Sequence, residues 1–160
     1  MPGSLNFDHL KSIHRYIFQD IYSWAGEERM VAIAKSDLFC LPSFIGRYAS
    51  TIFSKLKEED YLRGLSKGQF LDKVTTLLSD INALHPFREG NGRAQREFIR
   101  YVAGLSGFGF DYYLIGQREN VIASHESING DETILRSLLE RSLYELEPSE
   151  INLIKTSMKI

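Results

Sequence analysis

His85-Pro86-Phe87-Arg88-Glu89-Gly90-Asn91-Gly92-Arg93-Ala94-Gln95-Arg96 sets an imidazole, a carboxylate, two glycines and three guanidinium groups within one short run of chain. Its punctuation predicts local structure. Pro86 pushes the residue before it out of helical geometry, so a helix arriving from upstream ends at His85. Gly90 and Gly92 open backbone conformations that side chains close, and let a ligand approach the main chain. A new helix opens near Arg93, and the unpaired N–H groups of its first turn favour an anion. Arg93 and Arg96 are three apart and share a helix face. Two guanidinium groups beside a glycine nest make a phosphate site.

Glu89 is the odd member, because a carboxylate repels phosphate unless a divalent cation lies between them. Mg²⁺ is the usual bridge between one carboxylate and phosphate oxygens. His85, with an ordinary pKa near 6.5, is largely neutral at cellular pH and can accept a proton. Base, metal ligand and anion cradle together read as phosphate chemistry, in which the base deprotonates a hydroxyl that attacks phosphorus. Metal and arginines would hold the charge that develops.

Outward from this stretch the pattern is helical. Upstream, Ser66 and Gln69 have capping-box spacing, and Phe70, Val74, Leu77, Leu78, Ile81 and Leu84 form the apolar stripe of the helix that ends at His85. Downstream, Phe98, Ile99, Val102 and Leu105 face inward until Gly104, Gly107 and Gly109 break the helix. A first helix is expected over about 6–24, from Leu10, Ile13, Ile17 and Ile21, and another from Pro42 with Phe44, Ile45, Tyr48, Ile52, Phe53 and Leu56 buried. Residues 31–41 read as a β-hairpin or flap, with Lys35-Ser36-Asp37 at its turn. Two more helices are expected at about 116–127 and 131–146, then an amphipathic tail over 148–160. The fold class is all-α, a compact helical bundle with one short β-hairpin, in a single domain over 1–160.

Composition narrows the function. The chain has 160 residues, 43% hydrophobic and 25% charged, which is globular and long enough to bury a core. A formal net charge of -2 argues against general attraction to nucleic acid or an anionic membrane. One cysteine, Cys40, precludes an intrachain disulfide. His9, His14 and His125 lack metal-ligand spacing and read as structural. The N-terminus lacks the basic start and apolar run of a signal peptide, and no apolar stretch approaches the ~20 residues that span a bilayer.

The segment matches the Fic-domain motif, His-x-Phe-x-Asp/Glu-Gly-Asn-Gly-x-x-x-Arg with Arg directly after the second Gly, at every defined position. Trp24-Ala25-Gly26-Glu27-Glu28-Arg29 resembles the Trp-Ala-Gly-x-x-Arg stretch that precedes the Fic flap. The resemblance covers about residues 7–146 and implies the Fic fold. It implies AMP transfer from Mg-ATP to a Ser, Thr or Tyr hydroxyl of a target protein, with release of pyrophosphate. His85 would then be the general base and Glu89 the Mg²⁺ ligand. Gly90, Asn91 and Gly92 would line the anion hole. Arg93 and Arg96 would hold the phosphates, Arg96 nearest the γ-phosphate, and Phe87 would anchor the loop. The flap, about 31–41, would clamp the target by strand-like pairing, with Lys35 and Ser36 as contacts. Doc-type relatives, which phosphorylate a translation factor, resemble a Gly-Asn-Lys-Arg version, so Gly92 favours nucleotidyl transfer.

The alternatives keep the fold and transfer phosphate, UMP or phosphocholine, or drop catalysis for a nucleotide-gated interaction module. Many Fic proteins resemble one another in an inhibitory Ser/Thr-x-x-x-Glu-Gly/Asn helix whose Glu pairs with the second motif arginine, here Arg96. Ser23…Glu27 and Ser54…Glu58 have the spacing, but each Glu is followed by Glu. Either a small antitoxin supplies the helix in trans, the favoured expectation, or an N-terminal piece was removed. In location, the resemblance implies a bacterial cytoplasmic protein, or an effector secreted into a host cell if a delivery signal lies outside this chain.

Overall fold

The computed structural model describes residue 1 and residues 3–33 and 39–160. Helix α1 spans Phe7–Phe18, α2 Ile45–Glu58, α3 Lys67–Leu84 and α4 Asn91–Leu105. Strand β1 (Phe108–Phe110) follows, then α5 (Gln117–Ile128), α6 (Thr133–Ser142), β2 (Leu143–Glu145) and α7 (Pro148–Ser157). Among the described residues the fold is thus helical with one small antiparallel sheet.

Helix α4 is the axis. Ala94, Phe98, Ile99, Val102 and Ala103 on it are fully buried, and it packs against α1, α3 and α7. Helix α3 starts on the expected capping box: the Ser66 hydroxyl accepts the Gln69 N–H at 3.3 Å, and Gln69 Oε1 accepts the Ser66 N–H at 3.2 Å. Near the C-terminus of α4, α7 comes so close that a Cβ at Gly104 would collide with the Ile154 side chain.

Three expectations need correction. Helix α1 ends at Phe18 rather than near Trp24, because residues 19–26 close into successive turns, with Ile21 and Tyr22 N–H both bonded to Phe18 O at 2.9 Å. Ile21 therefore leaves the apolar face and is exposed. Phe44 sits in a 3₁₀ turn ahead of α2 and is exposed as well. The helix expected over 131–146 stops at Ser142, because Leu143, Tyr144 and Glu145 pair with Phe110, Gly109 and Phe108. Glycine at 109 makes that pairing close: a Cβ there would strike the Tyr144 ring.

Of the flap, residues 31–33 and 39–41 are described and form no strand; 34–38, with Lys35 and Ser36, lie outside the described residues.

Candidate active site

The motif segment lies between the C-terminus of α3 and the N-terminus of α4. His85 caps α3 in the left-handed region (φ 44°, ψ 59°), its N–H donating to Ile81 O at 3.1 Å. That conformation costs an L-residue about 1–2 kcal/mol, so the surroundings must impose it. The imidazole stacks on Phe39, centroids 3.7 Å apart at 15°. Its Nδ1 lies 3.3 Å from Asn82 O. A carbonyl only accepts, so this contact calls for the proton on Nδ1 and leaves the basic lone pair on Nε2.

The loop that follows is held from beneath. Phe87 is buried and stacks on His14 at 3.8 Å. His14 Nδ1 accepts the Gly26 N–H at 2.9 Å, so its Nε2 carries the proton given to Glu89 O, also at 2.9 Å. The bond accepted at Nδ1 requires a neutral ring. Burial pushes the His14 pKa down, the bond to Glu89 O opposes that, and the nearby Arg93 charge lowers it further. Asn91 closes the loop on itself: its side chain accepts Phe87 N–H at 2.9 Å and donates to Phe87 O at 2.7 Å. The Asn91 amide is thereby committed to the loop, and its backbone N–H is what it offers an anion.

The cradle begins at Gly90, which takes φ 81° and carries the first helical bond of α4, accepted from Ala94 N–H at 3.2 Å. Only glycine fits there. The conformation is left-handed, and a Cβ would collide with the Phe18 ring. Gly90 offers no side-chain cap, so the first-turn N–H groups of α4 are left without a capping partner. The Arg93 guanidinium lies 4.5 Å above the Phe18 ring centre, and that of Arg96 5.9 Å from the ring centre of Tyr112. Among the described residues neither arginine forms an ion pair. Glu89 is exposed at the rim, with Oε1 accepting the Gly90 N–H at 3.1 Å.

One cavity of about 270 Å³ gathers these groups. His85, Arg88, Glu89, Gly90, Asn91, Gly92, Arg93 and Arg96 line it, with Ile33 from the described part of the flap segment. The expected cluster is therefore together in space, with Phe87 as the buried anchor below. Two residues that touch the site were missed by its local reading. Arg29, which is 2% exposed, donates from Nε to His85 O at 2.7 Å and from its own N–H to Pro86 O at 2.8 Å. Arg88, given no role by the motif, is exposed and lies over the Trp24 ring at 5.3 Å. Chemically, the arrangement sets an imidazole beside unpaired backbone N–H groups and two guanidinium groups, a set able to bind an anion. Among the described residues no cluster of three His, Cys, Asp or Glu could hold a metal ion, and no helix is long and apolar enough to cross a membrane.

Comparison with known proteins agrees with this geometry. The chain is 40% identical over 146 residues to protein adenylyltransferase VbhT of Bartonella schoenbuchensis, covering 91% of the chain and 30% of VbhT. It is 36% identical over 143 residues to the probable protein adenylyltransferase y4lH of Sinorhizobium fredii, covering 88% of the chain and 74% of that protein. The chain thus spans under a third of VbhT and about three quarters of y4lH. In structure it resembles the N-terminal Fic domain of a Bartonella quintana effector with bound ADP: TM-score 0.84 and 25% identity, over 94% of this chain and 78% of that one. The BepC protein of Bartonella tribocorum, with bound AMPPNP, shares the fold at TM-score 0.82 and 24% identity, over 92% of this chain and 79% of that one. The Fic/DOC family profile matches residues 4–103, which include the whole segment from α1 through the cradle, and the chain belongs to that family.

Proposed function

We propose that the chain transfers AMP from Mg-ATP to a Ser, Thr or Tyr hydroxyl of a target protein, releasing pyrophosphate. The observation that carries this reading is the single cavity walled by His85, Glu89, the glycine-flanked N-terminus of α4, Arg93 and Arg96. The names of the relatives, protein adenylyltransferases at 36–40% identity, support it.

His85 Nε2 takes the proton of the incoming hydroxyl as its oxygen bonds to the α-phosphorus. The bond from that phosphorus to the α–β bridging oxygen breaks, and pyrophosphate carries away the electron pair. The N–H groups at Asn91 and Gly92 and the guanidinium groups of Arg93 and Arg96 hold the phosphates, fixing them before the charge shifts. A Cβ at Gly92 would meet Arg96 Nη1 in ordinary contact, at 3.5 Å, so glycine there leaves that much more room beside the guanidinium. Glu89 fits Mg²⁺, a hard cation that accepts one carboxylate and completes its shell with phosphate oxygens and water. Bound there, Mg²⁺ would offset phosphate charge. Ile33 on the cavity wall supports the reading that residues 31–41 present the target, Lys35 and Ser36 included.

A second cavity of about 390 Å³ joins Ile13, Tyr16 and Ile17 of α1 to Arg93 and Arg96. An apolar helix laid there by a small antitoxin could bring a carboxylate to Arg96 and exclude the triphosphate. The protein acts in the bacterial cytoplasm, or in a host cell if it is delivered as an effector. The test is incubation with ATP labelled at the α- or the γ-phosphate and a cell lysate. Label retained on protein from α-ATP alone is the expected result. Label from γ-ATP would mean that phosphate is transferred, and label from neither would overturn ATP as the donor.

A further inference from the structure

We propose that Arg29 is a positioning residue for this reaction: its guanidinium ties the end of α3 to both stems of segment 31–41, and so sets His85 relative to the hydroxyl that the segment presents. The inference rests on the AMP-transfer reading. Arg29 is among the largest fully buried side chains. Its Nε donates to His85 O at 2.7 Å, its Nη1 to Val31 O at 3.0 Å, and its Nη2 to Leu84 O at 3.5 Å and to Cys40 O. Its own N–H reaches Pro86 O at 2.8 Å. One residue thus satisfies three consecutive carbonyls at the end of α3 and one on each stem of the flap segment.

The physics explains why arginine stands there. A helix ends with carbonyls that lack intrahelical partners and with the negative pole of its dipole. Here that end packs against the second stem, with Phe39 stacked on His85 and Cys40 N–H bonded to Ala83 O. A planar fork of five donors can serve diverging carbonyls at once, whereas an ammonium is a compact point charge on a flexible stem. The Nε bond, at 2.7 Å, goes to His85, whose backbone is left-handed and needs support. The ring that His85 stacks on, Phe39, adjoins Cys40, whose carbonyl Arg29 holds and whose N–H bonds Ala83 O at 2.9 Å. Base, stacking ring and both stems therefore hang on one guanidinium. The anion cradle does not: Asn91 and His14 hold it from other directions.

That separation gives the test. Arg29→Lys keeps the charge and loses the fork. In the full chain, thermal melting establishes that the variant is folded, and calorimetry with ADP and Mg²⁺ measures the cradle. Initial rates of α-label incorporation into lysate protein across ATP concentrations measure turnover. ADP affinity is expected to stay within threefold of wild type. The rate at saturating ATP falls roughly tenfold to a hundredfold, the scale of an ångström-level misplacement. The acid limb of the pH–rate profile shifts with it. A saturating rate within twofold of wild type would overturn the proposal, as would ADP affinity lost in step with the rate. His85 ring resonances and pKa, read by NMR without turnover, must change in Arg29→Lys; if they match wild type, Arg29 does not set the imidazole. That readout stands even if wild type transfers no label, an outcome that would sink the AMP-transfer reading instead. Should Arg29→Lys fail to fold, Phe39→Leu removes the stacked ring and leaves the guanidinium in place. It should show the same split in milder form, and an unchanged rate and pH profile there would refute the coupling.

Discussion

Replacing Asn91 by alanine removes the clamp that closes the motif loop and little else. Asn91 is the first residue of α4, where alanine is an excellent helix former, so no propensity is lost. What goes is the pair of hydrogen bonds to Phe87 N–H and O, at 2.9 and 2.7 Å. Phe87 is 1% exposed, so its two backbone groups are left buried without those partners. Each such group costs about 1–3 kcal/mol, and the lower part of that range for both gives roughly 2–4 kcal/mol. For a chain of this size that lowers Tm by about 4–16 °C. Asn91→Asp separates the two bonds. The carboxylate still accepts Phe87 N–H and gains from the helix N-terminus, but it cannot donate to Phe87 O. It should melt above Asn91→Ala and yet bind ADP more weakly, because a negative charge now sits under the cradle. Calorimetric melting and ADP titration of the two variants check this. A Tm for Asn91→Ala within 2 °C of wild type, or tighter ADP binding by Asn91→Asp than by Asn91→Ala, would refute the clamp.

His85→Ala should lower AMP transfer by about 10²–10⁴-fold while ADP titration shows affinity near wild type, since a general base is lost and the cradle is not. Gly90→Ala should destabilise by at least about 1–2 kcal/mol from its left-handed backbone alone, with the Phe18 clash added, measured by urea unfolding. Arg96→Ala should weaken ADP binding more than His85→Ala does, read by the same titration. Burial holds His14 below its ordinary pKa, so the unfolded chain binds more protons than the folded one between the two values. Stability is therefore full above about pH 6.5 and declines as pH falls through the folded value. His14→Gln should flatten that decline between pH 7 and 5 in a melting series. A residual slope is expected from His9, whose pKa burial also lowers.

The segment from His85 to Arg96 was readable because its chemistry is local: helix stop, glycine turn, helix start and two arginines one turn apart are all set by near neighbours. The capping box at Ser66 and the stripes of α3 and α4 were legible for the same reason. Arg29 and His14 were not, because their partners lie far along the chain, at His85 and Glu89. Strands β1 and β2 escaped because three residues cannot display a period, and Leu143–Glu145 continues the helical pattern of α6 until pairing with β1 overrides it. Ile21 misled because spacing places it on the stripe of α1 and does not report where the helix ends.

The Phe18 ring is floor to two parts of the seat at once, lying under Gly90 and under the Arg93 guanidinium. Although the motif is one unbroken stretch of chain, it is not portable: spliced into another helical hairpin without an aromatic supplied from elsewhere, the glycine would have nothing to lie flat against and the arginine nothing to rest on. Drift in the first helix would therefore reach substrate affinity without altering a single motif letter.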